Sequence, residues 1–496
     1  MTRARRAAAL VVVLVCGGCS STGARRAVVP AKPATPPSSP SAATAGSPTA
    51  TASSPPSPSA IPAPTVGASN APANGTCPAP PPRAAPRADR PRYTLTAGIQ
   101  PAGHLATGTL SVVFTPDLPT DHLVFRLWPN GPVLTREGAH LAPGPVTVDG
   151  IPATPSLPDP TTMVVPLPRP LAAGQSVTAS MPWRLTLPGN VRDRIGDDGP
   201  AVRMGTFYPL LSWEPGVGWA TDPPTTVYAE ATTSPAADFD LMVTVPDGWT
   251  VLATGVSDRP GHFSAVGVPD VGLSAGQFSL ATGTADGGAT TPVAITVGVA
   301  QGLGDAPQPY VAKVRDVIAS YARRFGAFPW PSFSLALTSG PGTSGIEYPM
   351  HVMQGPGTLG RTTSHELGHQ WFYALVTDDQ ARDPWLDEGL ASWAEYGYEH
   401  TLSAWISTPI PADAKGEAGQ PMTYWNSHSS SYYRGVYAQT PEALAALGPP
   451  ARVDCALALY VARSAYRIAR PADLIDILAQ VFPAAPAVLA RYGLHR

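Results

Sequence analysis

Glutamate is scarce in this chain, ten residues in 496, and cysteine is scarcer still at four. No basic block follows the first dozens of residues, and the formal net charge is −3. The charge pattern therefore gives no reason to expect nucleic acid as a partner. Long apolar runs are missing too, which speaks against a permanent transmembrane helix. Proline goes the other way, with 61 residues concentrated toward the N-terminus. The length is enough for two or three domains once non-folding segments are set aside. In so Glu-poor a chain, four glutamates between Glu366 and Glu399 form an informative cluster.

The start of the chain reads as an export signal. Arg3, Arg5 and Arg6 precede a short apolar run, Ala7 to Val15, and then small residues. Cys16-Gly17-Gly18-Cys19-Ser20-Ser21 resembles a bacterial lipobox, with Cys16 where a Leu is usual. Cys19 would then be the acylated N-terminus of a lipoprotein, anchored to the cell membrane on its extracytoplasmic face. Ordinary signal cleavage and secretion is the other outcome. Either way, an exported chain that keeps Cys77 and Cys455 invites one disulfide.

Residues 20–90 are mainly Ala, Pro, Ser and Thr. Such a stretch buries too little apolar surface to offset its ordering entropy, and reads as a Pro-stiffened, disordered tether. From Tyr93 to about Ala300, short alternating runs (Thr109–Phe114, Leu123–Leu127, Thr161–Leu167, Phe239–Val245) are separated by turn residues. That texture predicts antiparallel β structure. Beyond Pro307 the periodicity becomes helical, with Val311, Val314, Val317, Ile318 and Tyr321 on one face. Strands are predicted at Phe333–Leu337 and Ile346–Met353, and helices at Thr363–Leu375, Pro384–Tyr396, Pro441–Leu447, Arg452–Ile468 and Pro471–Val481. The class is α+β.

His365-Glu366-Leu367-Gly368-His369 fits the two-histidine helix motif of zinc peptidases. Residues four apart share a helix face, so both imidazoles reach one metal, and Glu366 projects beside it without ligating. Eighteen residues separate His369 from Glu388, within Trp385-Leu386-Asp387-Glu388-Gly389. Two His and one Glu, with an open fourth position, form a catalytic rather than a structural zinc set, one ion per chain. Zinc so held brings the pKa of its water to about 7 and polarises a scissile carbonyl. Glu366 would act as general base, then return the proton to the departing amine. Asp387 and Glu395 are candidates to orient the ligands, although nothing in the spacing decides it. Trp371, Trp385 and Trp393 read as core.

With these two signatures in place, the chain resembles the aminopeptidase N-like gluzincin zinc metallopeptidases, small bacterial members in particular, a family related to the leukotriene hydrolases. Gly345-Ile346-Glu347-Tyr348-Pro349 looks like that family's substrate-binding segment, with Ile346 in place of the common Met. The resemblance implies an edge strand that pairs with substrate backbone, and it assigns Gly345 and Glu347 to substrate binding, Glu347 to the free α-amine. Tyr432-Tyr433-Arg434-Gly435 looks like the family's Tyr-x-Lys-Gly, which makes Tyr432 the oxyanion donor, with Tyr433 as the alternative if the register slips. Phe207–Leu211 with Trp219, and Phe239 through Gly255, look like the family's saddle-shaped β domain.

The organisation implied is a lipoprotein-type signal peptide (1–19), the tether (20–90), an N-terminal saddle-like β domain (91–304), a thermolysin-like catalytic domain (305–440) and C-terminal helices (441–496). The activity implied is removal of N-terminal residues from extracellular peptides. A zinc endopeptidase with the same chemistry is one alternative. A catalytically idle, membrane-tethered binding protein on a peptidase scaffold is another, and the complete set of ligands, base and candidate oxyanion Tyr speaks against it.

Overall fold

The computed structural model describes residues 77–189, 192–227 and 233–496. The export signal, Cys19 and the tether up to residue 76 lie outside the described residues. The elements used below are numbered in chain order.

The first half builds a nine-stranded sheet around β1 (Arg92–Gln100), β2 (Leu105–Phe114), β3 (Val177–Thr186), β4 (Ala237–Thr244) and β5 (His262–Val268), adjacent in the order β5-β4-β1-β2-β3. Alternation sets its faces: β1 buries Tyr93, Leu95, Ala97 and Ile99 and turns the residues between them outward. The sheet is not wholly antiparallel, because β1 pairs with β4 in parallel. These two strands are far apart in sequence, so no hairpin dictates their direction. Two four-stranded sheets and a two-stranded sheet, Trp213–Glu214 with Gly218–Trp219, complete this part of the molecule.

A five-stranded sheet carries the candidate site. It consists of β6 (Phe278–Ala285), β7 (Val293–Ala300), β8 (Ser332–Leu337), β9 (Gly345–Tyr348) and β10 (His351–Gln354), in the order β6-β7-β8-β10-β9. Its first two strands lie upstream of residue 304, so segments that read as part of the β domain pair instead into the sheet of the catalytic part. The run Ile346–Met353 is a hairpin rather than one strand, broken at Pro349 and Met350, whose φ is +61°. That break leaves β9 at the edge of the sheet.

Helix α1 (Pro307–Phe325) lies between β7 and β8 in sequence and buries Val311, Val314, Val317, Ile318 and Tyr321. The longer helices that follow are α2 (Arg361–Gly368), α3 (Leu390–Tyr398), α4 (Gln439–Ala445), α5 (Pro450–Ser464) and α6 (Pro471–Val481). Helix α2 stops at Gly368, short of the predicted Leu375. A Cβ on Gly368 would come within 3.0–3.3 Å of Ala391, so the glycine lets α2 and α3 pack closely. Beyond it, Trp371, Phe372 and Leu375 are buried without being helical. Ile468, predicted as the end of a helix, lies in a two-residue strand paired with Thr377–Asp378.

Residues 77–90 depart from the expected tether. Cys77 is disulfide-bonded to Cys455 on α5, Arg83 donates to the Ala327 carbonyl, and Arg90 pairs with Asp238 at 2.6 Å. The disulfide is the one that the two cysteines invited, but composition cannot show the Arg83 and Arg90 anchors, because their partners lie far along the chain. Among the described residues no single helix is long and apolar enough to cross a membrane.

Candidate metal centre and cleft

Helix α2 supplies His365 and Glu366, and His369 caps its end. A widened, π-helical turn, Trp385–Gly389, runs into α3 and supplies Asp387 and Glu388. All of these side chains are buried. The donor atoms of His365, His369 and Glu388 lie within 4.8 Å of one another. Glu388 Oε2 lies 2.9 Å from His365 Nε2 and 3.4 Å from His369 Nε2. The structure thus brings together the three residues that the spacing singles out as ligands.

The other ring nitrogens are occupied. His365 Nδ1 lies 3.1 Å from Glu395 Oε2, and Arg361 donates to Glu395 from the far side. His369 Nδ1 lies 2.5 Å from Asp387 Oδ1, and Gln380 Nε2 donates to Asp387 Oδ2 at 2.8 Å. Such carboxylate–histidine pairs fix the ring plane and the tautomer that leaves Nε2 for a metal. Asp387 and Glu395, which the sequence could only nominate, hold these places. Arg361 and Gln380 carry no spacing signal and were not foreseen.

Carboxylates crowd the buried His369. Burial disfavours a charged His369, yet Asp387, Glu347 and Glu388 outweigh it and hold the imidazole well above its ordinary pKa. Burial would likewise raise Glu388, but the two histidines keep it well below the carboxylate range. Buried His369 Nε2 has no hydrogen-bond partner. Two converging imidazoles, one of them with an unbonded buried Nε2, and one carboxylate oxygen make three donors that fit a zinc ion in chemistry and number.

A second cluster adjoins the first. Ligating atoms of Glu347, Glu366 and His369 also lie within 4.8 Å of one another. Glu347 is buried on the edge strand β9. Gly345, on the same strand, faces Glu366: a Cβ there would lie 2.4 Å from Glu366 Cγ. Gly345, Glu347 and Glu366 therefore meet beside the candidate ligands.

Tyr432 is buried, and its ring meets that of Tyr437 edge-on, with centroids 5.6 Å apart. Tyr433 lies with its hydroxyl 3.5 Å from Arg361 Nη2. Tyr437, which sequence reasoning missed, donates its hydroxyl to Glu388 Oε1. No spacing signal pointed to it, since an ordinary helix does not bring a residue five places after Tyr432 onto the same face. Trp371, Trp385 and Trp393 are buried in the core, as read.

Residues 357–486 match the Peptidase family M1 domain. Aminopeptidase M1-B of Oryza sativa subsp. japonica is 32% identical over 136 residues, covering 24% of this chain and 15% of that protein. Aminopeptidase N of Oryctolagus cuniculus is 51% identical over 43 residues, 8% of this chain and 4% of its own length. Each match therefore spans a small part of the curated relative. An M1 zinc metallopeptidase from Deinococcus radiodurans superposes with a TM-score of 0.61 at 19% identity, covering 82% of this chain and 94% of its own. A mutant of the same protein bound to a Tyr-Ser-Ala substrate superposes with a TM-score of 0.61 at 20% identity, with 82% and 95% covered. The solved structures share the α+β fold, and the matches together bear out the aminopeptidase N-like resemblance.

Proposed function

Because the chain carries an M1 peptidase domain, we propose that it is a zinc-dependent metallopeptidase, specifically an aminopeptidase that removes N-terminal residues from peptides outside the cell. One observation carries the reading: two buried clusters share His369, one built to hold a cation and one that sets Glu347 and Glu366 beside it. Zinc, when bound by His365, His369 and Glu388, supplies a Lewis acid that acidifies water and polarises a carbonyl.

The remaining work falls to side chains. The Glu366 carboxylate accepts a proton from the attacking water and delivers it to the leaving amine. The Tyr432 phenol donates to the oxyanion that develops on the scissile carbonyl. Strand β9, at the sheet edge, pairs with the substrate backbone, and the Glu347 carboxylate meets the substrate ammonium. A carboxylate at that place ends the cleft, so the bond cut is the first one.

Export is supported by the signal-like N-terminus and by the Cys77–Cys455 disulfide, which persists in an oxidising compartment. Cys19 is the proposed site of lipid attachment, and Cys19→Ser should abolish incorporation of a labelled fatty acid.

The test of the aminopeptidase reading is hydrolysis of matched peptides with free and acetylated N-termini. Leaving a buried carboxylate without its ammonium commonly costs about 2–5 kcal/mol, or roughly 30-fold to several thousand-fold in kcat/KM. Free-amine peptides should be cut faster by that margin. Efficient internal cleavage of acetylated peptides would replace the aminopeptidase reading with an endopeptidase one and leave the zinc chemistry standing.

A further inference from the structure

Tyr437 touches two of the three proposed metal ligands. Its hydroxyl donates to Glu388 Oε1, while the other oxygen, Oε2, faces both histidines. Its ring lies nearly parallel to that of His365, with centroids 5.6 Å apart and planes 14° apart. The same ring meets Tyr432 edge-on and stacks on Tyr433 at 4.7 Å. The residue is buried.

The backbone explains how it gets there. Arg434–Ala438 is a widened, π-helical turn. It is pressed against Trp425, because a Cβ on Gly435 would lie 2.2 Å from that indole. An extra residue in the turn brings positions five apart to one side, so Tyr432 and Tyr437 become neighbours. Widened turns of this kind recur at functional sites.

We propose that Tyr437 is a positioning residue for the metal, holding Glu388 so that a single carboxylate oxygen is presented to the ion. This rests on the zinc reading above. A carboxylate can ligate through one oxygen or through both. With Oε1 engaged by a phenol, Oε2 alone joins the two imidazoles, and the fourth position stays open for chemistry. Without the phenol, Glu388 is free to turn, engage both oxygens and crowd that position. The ring acts on His365 as well: Glu395 fixes the imidazole at Nδ1, and Tyr437 covers its face.

The test uses metal-free full-length protein titrated with zinc against a chromophoric chelator. Wild type, Tyr437→Phe and Tyr437→Leu are compared after circular dichroism has shown each to be folded. Loss of a partner of this kind typically weakens metal binding about 10- to 100-fold. Tyr437→Phe keeps the ring and should show that loss, and Tyr437→Leu should lose more. Cobalt substitution gives a second readout: the intense visible band of a four-coordinate ion should weaken in Tyr437→Phe as coordination rises. Wild-type zinc affinity and an unchanged cobalt spectrum in Tyr437→Phe would overturn the proposal. So would a loss seen in Tyr437→Leu alone, which would make Tyr437 a packing residue. If wild type itself takes up no zinc, the metallopeptidase reading fails and this inference with it. Tight zinc binding by wild type and Tyr437→Phe alike sinks only the inference.

Discussion

The Glu366 side chain occupies the space where a side chain on Gly345 would begin, since a Cβ at position 345 would lie 2.4 Å from Glu366 Cγ and 2.7 Å from its Oε1. The glycine on the edge strand and the proposed base on α2 are therefore one fitted pair. Gly345→Ala must displace the carboxylate or the strand. Misplacing a reacting group by about 1 Å can cost on the order of a hundredfold. The expected result is a kcat lower by about that factor with zinc content unchanged. Steady-state kinetics beside metal analysis checks it, and wild-type kcat in Gly345→Ala would contradict the fit.

The two aromatic neighbours Tyr432 and Tyr433 have separable fates. The Tyr433 hydroxyl faces Arg361, whereas Tyr432 lies edge-on to Tyr437, whose own hydroxyl reaches Glu388. Losing one oxyanion donor commonly lowers turnover about 100- to 1000-fold. Tyr432→Phe should show that drop in kcat with little change in KM, while Tyr433→Phe should stay near wild type. The reverse pattern would move the donor by one residue.

Cys77 and Cys455, 378 residues apart, close most of the folded chain into one loop. In the chain-entropy view such a bond contributes up to about 5 kcal/mol. Cys77→Ser should lower the thermal midpoint by about 3–6 °C for a chain of this size. Denatured but unreduced mature protein should show neither thiol to a labelling reagent. Two reactive thiols would end the assignment.

His351 bridges the two halves of the molecule, with Nε2 3.1 Å from Ser274 Oγ and Nδ1 2.8 Å from Ser334 Oγ. Burial pushes its pKa down to about 3. The folded value lies below the unfolded one, so on acidification the unfolded chain takes up a proton that the folded chain refuses. Stability is then lost as pH falls from about 6.5 toward 3, by about 1.4 kcal/mol per unit. Asp270 and Asp383, raised by burial to about 6 and about 7, act in the opposite sense. Both remain in a His351→Asn variant, so a comparison isolates the histidine. Between pH 7.5 and 5.0 wild type should lose about 2 kcal/mol more than the variant in urea unfolding. Equal losses would show that His351 is not held neutral.

The candidate metal ligands were legible because two signatures mark them: His365 and His369 lie four residues apart on one helical turn, and Glu388 sits in a second motif. Tyr437 was not legible, because its approach to Glu388 depends on a widened turn that periodicity at 3.6 residues cannot show. The apolar pattern through Leu375 reported burial correctly and conformation incorrectly, since Trp371 and Phe372 are core residues beyond the end of α2. The parallel pairing of β7 with β8 is likewise a long-range choice, invisible to alternation along each strand. The disulfide at Cys77 was legible from the cysteine count, but the docking of Arg83 and Arg90 depends on Ala327 and Asp238, each far away in sequence.

The central claim is that His365, His369 and Glu388 hold a zinc ion at which Glu366 serves as base without being a ligand. The most direct measurement is zinc content and peptide hydrolysis on one preparation of Glu366→Gln beside wild type. The account predicts about one zinc per chain in both proteins, and hydrolysis lower by about 100- to 10,000-fold in the variant. Hydrolysis at the wild-type rate by Glu366→Gln, or an active wild type that contains no zinc, would contradict it.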